Sequence, residues 1–212
     1  MQMWRNCRER GLGVAVALLG VVFLGAESAR AGVGLAVNFD LPKAVLVGQT
    51  GVSGSLTITH TSTPPEAEGS ANVSDITLTL SCGSRAQGAA CPYGSETPAV
   101  FSVDAVATGR AGTACGGTTF LATVIDAPAG EVAFDPLEGA VTLGPANSGP
   151  GQNQCTIDFT FNVNALPAQD ALSGSVGGSS ARTTAYAGAA ASAVDRDRSG
   201  FGANWRTWVV TQ

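Results

Sequence analysis

The stretch Cys155–Val163 constrains this chain most strongly. It reads Cys-Thr-Ile-Asp-Phe-Thr-Phe-Asn-Val, so Ile157, Phe159, Phe161 and Val163 alternate with Thr156, Asp158, Thr160 and Asn162. A period of two puts the apolar set on one face of a strand and the polar set on the other; a helix would scatter them. Burying the four apolar side chains contributes roughly 6–12 kcal/mol in gross transfer terms, before conformational entropy is subtracted. The expectation is a half-buried strand at the centre of a β protein, with Cys155 placed to tie it covalently to another element.

The first residues read as a targeting signal. Arg5, Arg8 and Arg10 precede an uncharged apolar run, Leu12–Ala26, which leads to an Ala29-Arg30-Ala31 cleavage pattern. Residues 1–31 are therefore expected to be a signal peptide, with the mature chain starting at Gly32. The run is shorter than an ordinary membrane span of about 20 residues. A retained N-terminal anchor is the alternative. Cleavage takes away four basic residues (Arg5, Arg8, Arg10, Arg30) and two acidic ones (Glu9, Glu27), so the formal charge moves from −5 to −7. A chain this acidic lacks the basic footprint of a nucleic-acid or anionic-lipid binder. No transmembrane segment is expected in the mature chain.

Export gives the cysteines a meaning. Cys7 leaves with the signal, and Cys82, Cys91, Cys115 and Cys155 remain. An even number behind a signal peptide reads as disulfides, with three pairings possible. Cys82–Cys91 with Cys115–Cys155 is preferred: the first closes a short loop, and the second ties a strand approach to the central strand. Loop entropy assigns them about 2.7 and about 3.9 kcal/mol. A four-thiolate zinc site is the alternative, but the paired C-x₂₋₄-C spacing is missing.

The remaining chain reads as short strands separated by turn formers. Alternating segments lie at Gly32–Leu41, Ser53–Thr61, Val73–Ser81 and Thr118–Asp126, with shorter pieces at Ala44–Val47, Ala99–Ala107, Glu131–Phe134 and Ala140–Leu143. Eight or nine strands at this spacing, with no amphipathic helix, argue for an all-β antiparallel sandwich or barrel. Composition then shifts. Residues 172–200 are dominated by Gly, Ala and Ser and are expected to be a linker or a weak edge strand near Arg182–Ala187. Residues 201–212, with Trp205 and Trp208, are expected to be a C-terminal strand whose tryptophans pack inward.

A family resemblance is carried by Val47-Gly48-Gln49-Thr50-Gly51, Leu56-Thr57-Ile58-Thr59, Ile76-Thr77-Leu78 and Ser81-Cys82-Gly83. It continues in Val100-Phe101-Ser102, Thr108–Cys115, Thr118-Thr119-Phe120 and Cys155–Val163, with Pro167 and Asp170 behind. Over residues 33–171 the chain resembles the disulfide-bearing, immunoglobulin-like β-sandwich domains of exported actinobacterial proteins. The resemblance implies an immunoglobulin-like Greek-key sandwich over residues 32–171. Its motifs are strand cores, turns and cysteines, so it implies no catalytic residues. The Gly/Ala/Ser-rich tail departs from it.

Chemistry-bearing residues are sparse. His60 is the single histidine, ends a strand, and has no G-x-S-x-G or H-E-x-x-H motif beside it. Asp75, Asp104, Asp126 and Asp158 offer carboxylates for glycoside chemistry, but nothing ranks one pair above another. Asp195, Asp197 and Ser199, followed by Gly200, match the first half of a calcium loop. Position twelve would be Arg206 where a glutamate is needed, so a charged turn is the simpler reading. Asn72-Val73-Ser74 is a formal glycosylation sequon. Together these features predict a non-enzymatic protein, secreted or held in the cell envelope, without cofactor. Its role would be to bind a protein or glycan partner at the cell surface, with loops Thr61–Val73 and Gly83–Pro98 as contact candidates. An extracellular hydrolase and a purely structural envelope component are the alternatives.

Overall fold

In a computed structural model, the described residues are 34–62, 69–82, 100–126, 131–167, 184–196 and 201–212. They belong to one compact unit, Ala31–Gln212. The elements in chain order are β1 (Leu35–Asp40), β2 (Ala44–Leu46), β3 (Val52–His60), β4 (Ala71–Cys82), β5 (Phe101–Val103) and β6 (Val106–Gly109). They continue with β7 (Thr119–Asp126), β8 (Glu131–Pro136), β9 (Val141–Leu143), α1 (Pro150–Asn153), β10 (Gln154–Val163), β11 (Thr184–Asp195) and β12 (Phe201–Thr211). The expected all-β, mainly antiparallel architecture is present, with twelve strands among the described residues rather than eight or nine.

Hydrogen bonding runs continuously in the order β1-β3-β10-β6-β7-β8-β4-β11-β12-β2, with β5 on β10 and β9 on β4. Its two ends, β1 and β2, are consecutive in sequence and separated by three residues, so the sheet curls back on itself. β2 closes the path by pairing parallel with β12, while the other pairings are antiparallel.

β10 is the organising element. Ile157, Phe159, Phe161 and Val163 are all buried. Phe159 packs on Phe134 of β8 at 5.6 Å between ring centres, and Phe101 meets Phe161 edge to face at 6.1 Å. Gly54 of β3 makes room for this cluster, since a Cβ there would lie 2.6 Å from the Phe159 ring. The wet face is less open than alternation predicts: Thr156 is buried. Its hydroxyl pairs with Thr57 Oγ1 at 3.1 Å, and its backbone is taken by the segment after β6, with Arg110 N donating to Thr156 O at 2.7 Å.

Three sequence expectations are corrected. The single strand at Ala99–Ala107 is two, β5 and β6, because Asp104-Ala105 steps out between them. The sequence shows no helix pattern, yet one helical turn, α1, precedes β10, with proline at its start, where a missing N–H costs nothing. Of the expected linker or edge strand over residues 172–200, the described part is β11, which is an interior strand between β12 and β4; residues 172–183 and 197–200 lie outside the described residues. Ala189, Ala191 and Ala193 alternate inward and are buried, with Ala190 and Ser192 between them. The period of two is there, but it is written in methyl groups, which carry little hydropathy contrast.

The Cys115–Cys155 disulfide is present, and both cysteines are buried. It is the one disulfide among the described residues. Cys91, and with it the Cys82–Cys91 pairing, lies outside them. So do the side chains of Trp205 and Trp208 and residues 1–33. Among the described residues no helix is long and apolar enough to cross a membrane.

Candidate functional site

A groove of about 480 Å³ lies on the outer face of β1, β3, β10 and β6. Strand register builds it. Asp40, Ser55, Asp158 and Thr108 stand directly across from one another on four neighbouring strands. Ser53 and Thr160 form the next row. Each belongs to the polar half of an alternating strand whose apolar half fills the core, so one pattern makes both core and groove. Gly54, Val106, Ala107 and Phe159 complete the lining.

Arg110, just past the end of β6, reaches back over the groove. Its Nε donates to Asp158 Oδ2 at 3.0 Å and its Nη2 to Oδ1 at 2.5 Å, a bidentate clamp. Both side chains are about half exposed, at 51% and 45%. The hydrogen bond to Asp158 raises the guanidinium pKa; burial opposes it, and the charges of Asp158 and Asp40 add to the rise. The cation is therefore permanent, but solvent screens the pair. Replacing Arg110 with alanine is expected to cost less than about 1 kcal/mol of stability by urea denaturation. At the other end of the groove Asp104 accepts hydrogen bonds from the Thr160 hydroxyl and, at 3.4 Å, from Asn162 Nδ2.

His60 is elsewhere and is buried. Its Nδ1 donates to the Gly144 carbonyl at 2.9 Å, which makes Nε2 the acceptor from the Ser62 hydroxyl at 2.9 Å. Ser62 Oγ in turn accepts from Gly34 N at 2.8 Å. The chain Gly34–Ser62–His60–Gly144 ties β1 and β3 to the segment after β9. It resembles a serine–histidine dyad in its contacts, but the ring is sealed in the core and does not line the groove. His60→Gln keeps polarity but misplaces both hydrogen bonds, and is expected to cost about 1–3 kcal/mol in the urea midpoint.

The other sequence candidates do not converge. Asp75 sits in β4 with a left-handed backbone (φ 48°), at the irregularity where β4 pairs with β11. The Asp126 side chain, Asp197 and Ser199 lie outside the described residues. Asp195 ends β11, opposite Val73, and is buried. Among the described residues no three His, Cys, Asp or Glu side chains group as metal ligands. Most of loops Thr61–Val73 and Gly83–Pro98 is likewise outside. Sequence reasoning placed Asp158 on a wet strand face but missed Asp40, Thr108 and Arg110. The first two were visible as polar alternants, whereas Arg110 joins the site through a turn whose path no periodicity reveals.

No family model matches the chain, and no curated protein matches it. Among the solved structures that share a distant likeness are an adhesin domain and a fimbrial subunit. The N-terminal domain of the Streptococcus gordonii adhesin Sgo0707 is 9% identical, with a TM-score of 0.37, and the likeness covers 84% of this chain and 32% of that one. AggA, the major subunit of aggregative adherence fimbriae type I from Escherichia coli, is 10% identical with a TM-score of 0.26, over 83% of this chain and 92% of that one. The chain thus spans about a third of the adhesin structure it is compared with.

Proposed function

We propose that this chain is an exported, non-enzymatic module, secreted or held in the cell envelope, that binds a partner on a rigid sheet face. We assign it an immunoglobulin-like Greek-key sandwich. Support for that assignment comes from the strand order, in which β1 pairs with β3 while β2 crosses to pair parallel with the last strand, β12. The buried Cys115–Cys155 bond supports an oxidising compartment, because cytosolic thiols are kept reduced.

The observation that carries the binding reading is the groove itself. Its polar groups come from strands already fixed by the core, so a partner meets a surface that pays little ordering entropy. A hydrolase reading needs a base within reach of a nucleophile and of solvent. The one histidine is enclosed, with its two ring nitrogens engaged. The test is to screen the purified protein on ester and glycan substrates and to measure its adsorption to isolated cell envelopes. The expected result is no turnover, with adsorption that saturates and falls in Asp40→Asn. Turnover of an ester that is lost in Ser62→Ala, or of a glycan that is lost in Asp158→Asn, would overturn the reading.

A further inference from the structure

Beyond the groove, the same outer face continues over β7 and β8. Thr108 is opposite Thr119, and Leu137 N bonds to Thr119 O, which extends the row begun by Asp40, Ser55 and Asp158. Beside it Val106 stands opposite Leu121, and Leu121 opposite Asp135. Val106, Leu121 and Leu137 are 53%, 42% and 59% exposed. Val106 and Leu121 are outward residues of β6 and β7, whose inward neighbours Ala107 and Phe120 are buried, and Leu137 lies in the turn just after β8, whose inward Phe134 is buried. The outward half of an ordinary solvated strand is polar; here three aliphatic side chains lie beside the groove.

The charge around them is one-sided. Asp40 and Asp158 line the groove, Asp104 bonds to its Thr160, and Asp135 ends the aliphatic row; the guanidinium among them is Arg110, already clamped on Asp158. Phe159, the aromatic residue in the lining, is 3% exposed and offers no ring face to a sugar. A surface of carboxylates, hydroxyls and exposed aliphatics complements lysine or arginine side chains interspersed with aliphatic ones. Six strands at a spacing of about 4.8 Å make the face roughly 24 Å across, the reach of seven or eight extended residues.

We infer that the outer face of β1–β3–β10–β6–β7–β8 docks an extended, cationic and aliphatic peptide segment of a partner protein. The inference rests on the binding reading above and names its partner class. Carboxylates at Asp40 and Asp104 receive the cations, and Val106, Leu121 and Leu137 receive the aliphatic side chains.

The probe is a fluorescein-labelled, end-blocked octapeptide with lysine at positions 1 and 3, valine at 5 and 7 and serine between them, so that one face of the extended chain carries both side-chain types; it is titrated by anisotropy against the intact protein. It is compared with Glu/Val and Lys/Ser octapeptides and with a panel of neutral oligosaccharides. The Lys/Val peptide is expected to bind, the Glu/Val peptide not, and the Lys/Ser peptide at least about tenfold more weakly. Raising salt from about 50 to 500 mM is expected to weaken binding roughly fivefold. Leu121→Ser and Asp40→Asn are each expected to weaken it at least about threefold, whereas Leu46→Ser, an exposed site on β2, is expected to leave it unchanged. Absence of Lys/Val binding, or equal binding by the Leu121→Ser protein, would overturn the inference. Binding of a neutral oligosaccharide in place of the peptide would also overturn it, while leaving the binding-module reading standing. Only turnover in the substrate screen would remove both.

Discussion

Gly109→Ala unfolds this protein or costs it at least about 3 kcal/mol. A Cβ at residue 109 would lie 1.8 Å from the carbonyl oxygen of Cys115 and 2.8 Å from its carbonyl carbon. The obstacle is backbone, so no rotamer change relieves it. Neither side can retreat cheaply. Gly109 sits in register with Ile157 of β10, donates to Thr118 O at 2.7 Å and accepts from Gly117 N at 3.0 Å. The segment on the other side is held to β10 by Ala114 N to Gln154 O at 2.8 Å, and by the disulfide. The measurement is the urea midpoint at constant m value, with the exposed neighbour Thr108→Ala as control, expected within about 0.5 kcal/mol of the parent. Because the disulfide holds the obstructing carbonyl in place, Gly109→Ala should cost less in a protein lacking that bond. Equal costs in the two backgrounds would mean that the hydrogen bonds alone hold the segment.

Cys115→Ala with Cys155→Ala is expected to lower stability by about 3–4 kcal/mol. The bond closes a loop between residues 40 apart, for which the chain-entropy model gives about 3.9 kcal/mol. That loop contains β7, β8, β9 and α1, the elements that bridge the β10 side of the sheet to β4. Both sulfurs are buried, so a mild reductant should leave the folded protein oxidised and act only near the unfolding midpoint. Urea denaturation of the double variant, and of the parent with and without reductant, checks both statements. A double variant within about 1 kcal/mol of the parent would show that the backbone pairing of residues 110–118 with β10 fixes this corner by itself.

The central strand was legible because its two faces differ sharply in chemistry, four large apolar side chains against threonine, aspartate and asparagine. The Cys115–Cys155 pairing was one of those that cysteine parity allowed, preferred because Cys155 opens that strand. β11 was not legible: Ala189, Ala191 and Ala193 are core residues only because their strand lies between β4 and β12. The split of β5 from β6 was hidden for a related reason, since Asp104-Ala105 interrupts a run of valines without any glycine or proline to mark it. The groove was half legible. Asp158 and Thr160 were assigned to a solvated face, but which strands flank β10 is a matter of topology. That topology brings Asp40, 118 residues away in sequence, into the same row.

The most direct test of this account is the intact mass and disulfide map of the native protein, taken separately from culture medium and from cell envelope. The expected product is a chain that starts at Gly32, lacks about 2 Da for each disulfide formed, and yields a linked Cys115–Cys155 peptide. A chain of full length with free thiols at Cys115 and Cys155 would contradict the compartment, the covalent tie at the centre of the fold, and the surface role built on them.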